Sequence, residues 1–234
     1  MHTQAHRELA TSTPRRSEDS FASSTIKGWE ALNRVAPAQA YTAGTELFRQ
    51  GSAVQDVYFI DQGLVKLIRL EPDGREMIVG LRFPGWVIAA AAAIIQQSHL
   101  TTGITMCGCR LRRISSETFR DLLQRDAQFS WLVHRMHSHE VYDQVARLVQ
   151  LGCASARHRL EQLLWQLIIA LEPDGLKKET KLALPLKQWE IAELIAVTPA
   201  YLSRIYNELE RAGVLRRRNG WLIIHDPQRL WRWE

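Results

Sequence analysis

The sequence has few cysteines and no long hydrophobic segment, and both absences limit what the chain can be. Its three cysteines, Cys107, Cys109 and Cys153, are an odd and low number, which argues against a disulfide framework. The first 20 residues lack the apolar core of a secretory signal. The longest apolar run, residues 87–95, is far shorter than the roughly 20 residues that span a bilayer. We therefore expect a soluble protein of the reducing cytoplasm, with no membrane partner.

Acidic side chains are also in the minority, although the imbalance is small. The chain has 25 Asp and Glu against 30 Lys and Arg, a net charge of +5. This excess permits an anionic partner such as nucleic acid without requiring one. The length of 234 residues and a hydrophobic content of 46% suit one large or two ordinary domains with a packed core.

The amino-acid composition of the chain changes near residue 25. Residues 1–24 are rich in Ser, Thr, Arg and His, so we expect a flexible tail. Residues 41–115 alternate short β-rich runs with glycine-containing turn signals, and Asp73-Gly74 between two such runs predicts a hairpin. Short strands with frequent turns indicate a barrel or sandwich, and we assign residues 25–125 to this domain.

The apolar period becomes helical from Ser116 onward. A short helix comes first, and a long helix is then predicted over residues 126–151. Its narrow apolar stripe is typical of a helix that pairs with a copy of itself, so we predict a homodimer. Packing of the helix along its own domain is the alternative. The stripe consists of Phe129, Leu132, Met136, Val141, Val145 and Leu148.

Residues 152–234 have the pattern of a winged helix-turn-helix domain. Helices are predicted over 187–195 and 199–211 with a short turn between them. Asn219-Gly220, between two β-rich runs, predicts the hairpin of a wing. The second helix of such a pair lies in the major groove of DNA. The pattern therefore predicts double-stranded DNA as a partner.

The helix over 199–211 has both ends marked. Thr198 can cap its free N–H groups, and Pro199 suits the first helical position. Gly213 can adopt the left-handed conformation that ends a helix. The positions predicted to be buried are Leu202, Ile205 and Leu209.

The other face of that helix, together with the wing, provides the candidate DNA contacts. Arg204 can bond to the N7 and O6 of a guanine. Thr198 and the helix N-terminus suit a phosphate, and the wing arginines can hold the backbone or reach a minor groove. The predicted DNA-binding residues are Thr198, Pro199, Ala200, Tyr201, Ser203, Arg204, Asn207, Arg216, Arg217 and Arg218.

Two segments, residues 44–86 and 191–217, resemble the cyclic-AMP receptor protein and fumarate–nitrate regulator family of bacterial transcription factors. In the second segment, Ser203-Arg204 matches the recognition-helix pair of the family. The resemblance implies an α+β fold: an N-terminal cyclic-nucleotide-binding-like β-roll, a long dimerisation helix and a C-terminal winged helix-turn-helix. It also implies a homodimeric, non-enzymatic regulator that works with RNA polymerase.

The sequence departs from this family where a cyclic nucleotide would bind. Members that bind cyclic AMP carry Gly-Glu-Leu followed by Arg-Ser or Arg-Thr. Here Ala89, Ala90 and Ala91 occupy the first three positions and Leu100 replaces the arginine, while Thr101 and Thr102 remain. A buried phosphodiester would lack its cation, which disfavours cyclic AMP binding in the usual way. These six residues are candidates for another effector pocket, or they collapse into the core, and the cofactor is unknown.

A second departure lies in the recognition helix. The family often carries a glutamate where this chain has Ala200, so the usual operator half-site is not expected.

Other sensing groups remain open at this stage. Three cysteines fall short of the four that an iron–sulfur cluster needs. Cys107 and Cys109 are either buried core thiols or a redox pair. The cluster His134, His137 and His139 is either solvated or binds metal or haem, for which no further ligand is evident in the sequence.

Two rival functions also remain open. One is a constitutive DNA binder with a purely structural roll, and the other is a nucleotide-binding regulatory subunit of an enzyme. A catalytic role is disfavoured because no convincing nucleophile–base set is found.

Overall fold

A computed structural model describes residues 30, 32–172, 179–218 and 220–230. The predicted tail over residues 1–24 and the turn residue Asn219 lie outside the described residues. Within those ranges, no helix has both the length and the apolar character needed to cross a membrane.

The N-terminal domain is a roll of two antiparallel sheets. One sheet has the strand order β1-β8-β3-β6 and the other β2-β7-β4-β5. The predicted Asp73-Gly74 hairpin is confirmed, since β4 and β5 pair on either side of it and Gly74 has a φ of 83°. The strands are β1 (Ala38–Tyr41), β2 (Glu46–Phe48), β3 (Asp56–Gln62), β4 (Val65–Leu70), β5 (Glu76–Arg82), β6 (Val87–Ile88), β7 (Thr102–Thr105) and β8 (Cys109–Ser115).

After the helical residues 32–35, the described part of the N-terminal half has the helices α1 (Ala90–Ile95), α2 (Ser116–Arg125) and α3 (Ala127–Cys153). Asp126 caps α3, its carboxylate accepting bonds of 2.9 Å from two backbone N–H groups. The start of α3 packs against the roll through a cluster that includes Phe59, Phe119 and Phe129, whose ring centroids lie 5.9–6.3 Å apart.

The long helix α3 is buried at its start and exposed afterwards. Phe129, Leu132 and Met136 are buried against the roll. The large apolar side chains beyond them are solvent-exposed in the single chain: Val141, Val145, Leu148, Val149 and Leu151. The helix ends at Cys153, two residues beyond the predicted limit of 151.

In its described residues, the C-terminal domain has three α-helices, a small sheet and a final 3-10 helix over Pro227–Leu230. Its order is α4 (Ala156–Leu171), β9 (Thr180–Ala183), α5 (Gln188–Leu194), α6 (Pro199–Arg211), β10 (Leu215–Arg218) and β11 (Trp221–Ile224). The antiparallel pairing of β10 with β11 confirms the wing hairpin. The sheet order is β10-β11-β9.

The two domains share one hydrophobic cluster, which the sequence did not predict. Leu64, Ile78 and Leu81 of the roll pack with buried residues of the C-terminal domain. The backbone N–H of Ile78 donates to the Glu193 carboxylate of α5 at 2.8 Å. Arg147 of α3 donates to the carbonyls of Val79 and Leu194 at 3.0 and 3.4 Å. The first helix of the helix-turn-helix is therefore held against β5 of the roll and against α3.

Candidate nucleic-acid interface

The helix α6 begins and ends at the predicted residues. The Thr198 hydroxyl accepts a bond of 3.2 Å from the Tyr201 backbone N–H, and Pro199 occupies the first turn. Gly213 follows the helix with a φ of 65°. Leu202, Ile205 and Leu209 are at most 1% exposed, as predicted. The helix is thereby fixed along one side, and its opposite side faces solvent.

The exposed start of α6 presents a small side chain beside larger polar ones. Ala200, Tyr201, Arg204 and Asn207 are all exposed. Within the described part of the chain, the guanidinium of Arg204 has no hydrogen-bond or ion-pair partner. Arg204 therefore reaches solvent without giving up an internal bond.

Ser203 differs from its neighbours because it is held between the two helices. Its hydroxyl donates to the carbonyl of Pro199 at 3.0 Å and accepts a bond of 2.6 Å from Nε2 of Gln188. Gln188 is the first residue of α5 and was not among the predicted DNA-binding residues. The bond links the start of α5 to the start of α6.

The three wing arginines divide into two kinds. Arg217 bonds to Glu210 through its backbone N–H, Nε and Nη2, and its Nη2 also donates to Oδ1 of Asn207 at 2.7 Å. Its guanidinium lies 5.0 Å from the ring centroid of Tyr206. The side-chain bond from Arg217 is the main reason that the pKa of Glu210 lies below its ordinary value. Arg217 is thus anchored to α6.

Arg216 and Arg218 lie on the other side of the same strand. Side chains alternate along a strand, so these two face away from the side that Arg217 shares with buried Leu215. Both are exposed, and neither has a partner among the described residues. They are the wing cations that remain available to an anion.

The six effector-pocket candidates have different surroundings. Ala89 has a left-handed φ of 67° and precedes α1, in which Ala90 is buried in the core and Ala91 is exposed. Leu100 is 69% exposed. Thr101 is half-buried, and the Thr102 hydroxyl accepts a bond from the backbone N–H of Gln50 at 3.0 Å.

A cavity of the roll lies elsewhere. It has a volume of about 210 Å³ and includes none of the six candidates. Its lining residues are Leu47, Phe48, Ser52, Ala53, Gln55, Asp56, Tyr58 and His99.

Two arginines of the roll, Arg69 and Arg82, are already paired with carboxylates. Arg69 bonds to Glu71 at 2.8 Å. Arg82 is buried, bonds to Glu140 of α3 at 2.9 Å and lies over the Trp86 ring. Burial is the main reason that the pKa of Arg82 is lowered. Neither cation is free to neutralise a buried phosphate.

The histidines of α3 have different surroundings. His134 stacks on Trp131 with ring centroids 5.7 Å apart, while burial lowers the pKa of half-buried His137. No group of three or more potential metal ligands was found among the described residues.

Comparison with known proteins agrees with this architecture. Residues 38–126 match the cyclic nucleotide-binding domain family, and residues 158–233 match the Crp-like helix-turn-helix domain family. A probable transcriptional activator of Rhizobium leguminosarum bv. viciae is 30% identical over 208 residues, which are 85% of this chain and 82% of the relative.

Two solved structures share the fold. FixK2 from Bradyrhizobium japonicum has a TM-score of 0.68 and 22% identity, covering 84% of this chain and 96% of its own. The c-di-GMP responsive global regulator CLP of Xanthomonas campestris also has a TM-score of 0.68 and 22% identity, covering 86% of this chain and 99% of its own.

A cyclic-nucleotide-binding-like roll joined by a long helix to a helix-turn-helix defines a class of DNA-binding transcription regulators. Within that class, the chain belongs to the cyclic-AMP receptor protein and fumarate–nitrate regulator (CRP/FNR) family.

Proposed function

We propose that this protein is a homodimeric, sequence-specific transcription regulator whose roll does not bind cyclic AMP in the usual way. The observation that carries the proposal is the exposed start of α6. There the free Arg204 projects beside Ser203, which is tied to Gln188. A recognition helix needs both a rigid base and a free side chain that can reach a base edge.

Each polar group of this face has a role in the proposed complex. Arg204 donates two hydrogen bonds to a guanine, while Arg216 and Arg218 contact phosphates. Thr198 and Pro199 place the start of α6 near a phosphate, and Ala200 and Tyr201 allow a close approach. Because Oδ1 of Asn207 accepts from Arg217, its amide N–H groups are the atoms left for a base or phosphate acceptor.

The exposed apolar stripe of α3 supports the homodimer. Val141, Val145 and Leu148 are 62%, 54% and 68% exposed in the single chain, and they are spaced four and three residues apart. Such spacing places them on one side of the helix, where a second copy would cover them. Two recognition helices about 34 Å apart would then engage a palindromic site.

Two features of the roll argue against cyclic AMP. Leu100 replaces the phosphate-binding arginine of the family, and the roll residues Arg69 and Arg82 are paired with carboxylates. The proposed regulator therefore responds to another signal. In this proposal it acts in the cytoplasm and recruits or obstructs RNA polymerase at its sites.

One alternative has a specific observation in its favour. Ala90 and Ala93 of α1 are 1% exposed and pack with Phe59, so the segment that would hold a nucleotide is part of the core. A constitutive DNA binder with a structural roll fits this packing. Its discriminating property is an operator affinity that no effector changes.

The test is the selection of random duplex DNA by the purified full chain, without ligand and at two salt concentrations. Recovery of a two-fold-symmetric sequence supports the proposal and shows that no added effector is needed. Recovery of only salt-sensitive, sequence-independent binding, which persists when small-molecule cell extract is added, would contradict it. The matched pair Arg204→Ala, in the first half of α6, and Arg211→Ala, at its last residue, separates base reading from general charge.

A further inference from the structure

The turn between β7 and β8 brings two thiols together. Cys107 is half-buried and Cys109 is 3% exposed, with Gly108 between them. The two thiols are near enough for each to shift the pKa of the other. Sγ of Cys109 also lies 3.3 Å from the carbonyl oxygen of Cys107 and 3.5 Å from that of Leu64. The buried thiol is thus held in place beside the accessible one.

This arrangement makes the two sulfurs chemically unequal. The hydrogen bond from Cys109 lowers the pKa of Cys107, while the same bond together with burial raises the pKa of Cys109. The thiolate is the reactive form of cysteine. Cys107 is therefore the nucleophile that meets solvent, and Cys109 is the protonated partner beside it.

We propose that Cys107 and Cys109 are a redox modification site at which a hydroperoxide converts the two thiols into a reversible disulfide. The proposal rests on their placement in one turn, on the 3.3 Å contact of the Cys109 sulfur with the Cys107 carbonyl oxygen and on the difference in exposure.

The reaction balances without a further reagent. The Cys107 thiolate attacks the hydroperoxide, so that an S–O bond forms and the O–O bond breaks, and the leaving oxygen takes up a proton as an alcohol or water. Cys109 then attacks the sulfur of the sulfenic acid. An S–S bond forms, the S–O bond breaks, and water leaves with the Cys109 proton. The two sulfurs lose two electrons in total, which the peroxide gains.

The local backbone can accommodate this bond. Gly108 is exposed, and a Cβ built on it would meet no atom within 4 Å, so the turn has room to tighten. A disulfide brings its sulfur atoms to about 2.05 Å, closer than any hydrogen bond between thiols. In a reducing compartment such a bond is transient, which suits a sensor.

Movement of the Cys109 sulfur would disturb the packing between the two domains. A Cβ on Gly63 would lie only 2.5 Å from Sγ of Cys109, so the loop that contains Leu64 sits directly against that sulfur. Leu64 is fully buried in the cluster shared with the C-terminal domain, and Cys107 packs on the same cluster. We therefore expect oxidation to loosen α5 from the roll. Its effect on operator affinity rests on the proposed function, whereas the chemistry does not.

The chemistry is tested with the full-length Cys153→Ser protein, which removes the exposed cysteine of α3. Stoichiometric hydrogen peroxide should remove both titratable thiols and lower the mass by two hydrogen atoms, and dithiothreitol should restore both. Adding Cys109→Ala should stop the reaction at a sulfenic acid on Cys107 that dimedone captures. Adding Cys107→Ser instead should leave Cys109 unreacted.

Two results would overturn the modification site. The first concerns oxidation rates: Cys107 in the Cys153→Ser protein oxidises no faster than Cys153 in a Cys107→Ser, Cys109→Ala protein. The other is that Cys153→Ser protein gains oxygen atoms instead of losing two hydrogens.

The coupling to α5 is measured separately by amide hydrogen exchange over residues 187–195, which should become faster in the oxidised protein. A disulfide that leaves this exchange unchanged would overturn the coupling alone. If the reduced protein does not bind DNA, that result contradicts the proposed function but not the formation of the disulfide.

Discussion

Lys66 of the roll and Glu190 of the helix-turn-helix form an ion pair of 2.5 Å that is almost excluded from solvent. Their side chains are 11% and 4% exposed. Oε2 of Glu190 also accepts a bond of 2.7 Å from the backbone N–H of Lys187, which precedes α5. One carboxylate therefore caps α5 and binds it to β4.

Removing Lys66 should destabilise the protein strongly. Lys66→Ala leaves the buried Glu190 carboxylate without its cation, and breaking a buried pair in this way costs about 3–5 kcal/mol. Urea unfolding of the full chain measures the loss, with Lys181→Ala, at an exposed position of β9, as the charge-matched control. The double variant Lys66→Met, Glu190→Gln should recover part of it, because no unpaired charge remains. A Lys66→Ala protein as stable as the Lys181→Ala protein would rule out the role of the pair.

Arg204→Ala should relax sequence discrimination while general affinity survives. A bidentate contact to guanine is worth about 1–3 kcal/mol of discrimination, whereas phosphate contacts are indifferent to sequence. Competition between the selected operator and a site with the contacted base pair changed measures this difference. Arg211→Ala removes the same charge from the last turn of α6 and should leave the ratio unchanged. An unchanged ratio in Arg204→Ala as well would refute base reading by this residue.

Whether a feature of the interface could be predicted from the sequence depends on how far apart in the chain the interacting residues lie. The ends of α6 were predictable because Thr198, Pro199 and Gly213 act on their own neighbourhood. The Lys66–Glu190 pair joins residues 124 positions apart, and no local pattern indicates it. The start of α5 lacked a Ser or Thr cap, yet a glutamate three residues after Lys187 is half of a capping box and was a usable signal.

The wing likewise has one feature that the sequence predicts and one that depends on packing. Three consecutive arginines looked equivalent in the sequence, although the period of two in a strand already separates Arg217 from Arg216 and Arg218. That Glu210 and Asn207 hold Arg217 could not be read from the pattern, because it depends on how the hairpin packs on α6.

Glu210→Ala should therefore weaken operator binding although it removes a negative charge. It releases Arg217, so the wing is no longer fixed against α6, and we expect a loss of roughly 1 kcal/mol for this partly exposed pair. Glu208→Ala is the matched control, since Glu208 is exposed on the same helix and lacks a partner in the described structure. Binding isotherms at one salt concentration compare the two. Equal or tighter binding by Glu210→Ala would indicate that the anchoring does not contribute.

Leu148→Glu should separate the proposed dimer. It places a charge in the middle of the exposed stripe of α3, where pairing would bury it without a partner. Sedimentation equilibrium should report a monomer, and affinity for the palindromic site should fall to that of a half-site. Leu70→Glu, at a position 57% exposed on the roll, controls for the added charge and should remain a dimer. Unchanged association by Leu148→Glu would exclude this stripe as the interface.

The reactivity of Cys107 should depend on Cys109 in a pH-dependent way. The hydrogen bond from the Cys109 thiol stabilises the Cys107 thiolate and lowers its pKa below the ordinary value of about 8.5. Alkylation by iodoacetamide rises with pH as the thiolate forms, so its midpoint should lie below that of an ordinary cysteine in Cys153→Ser protein. Cys109→Ala removes the donor and should move the midpoint to higher pH, while Cys109→Ser, which keeps a hydroxyl donor, should move it less. Identical midpoints in all three proteins would show that the contact between the thiols does not activate Cys107.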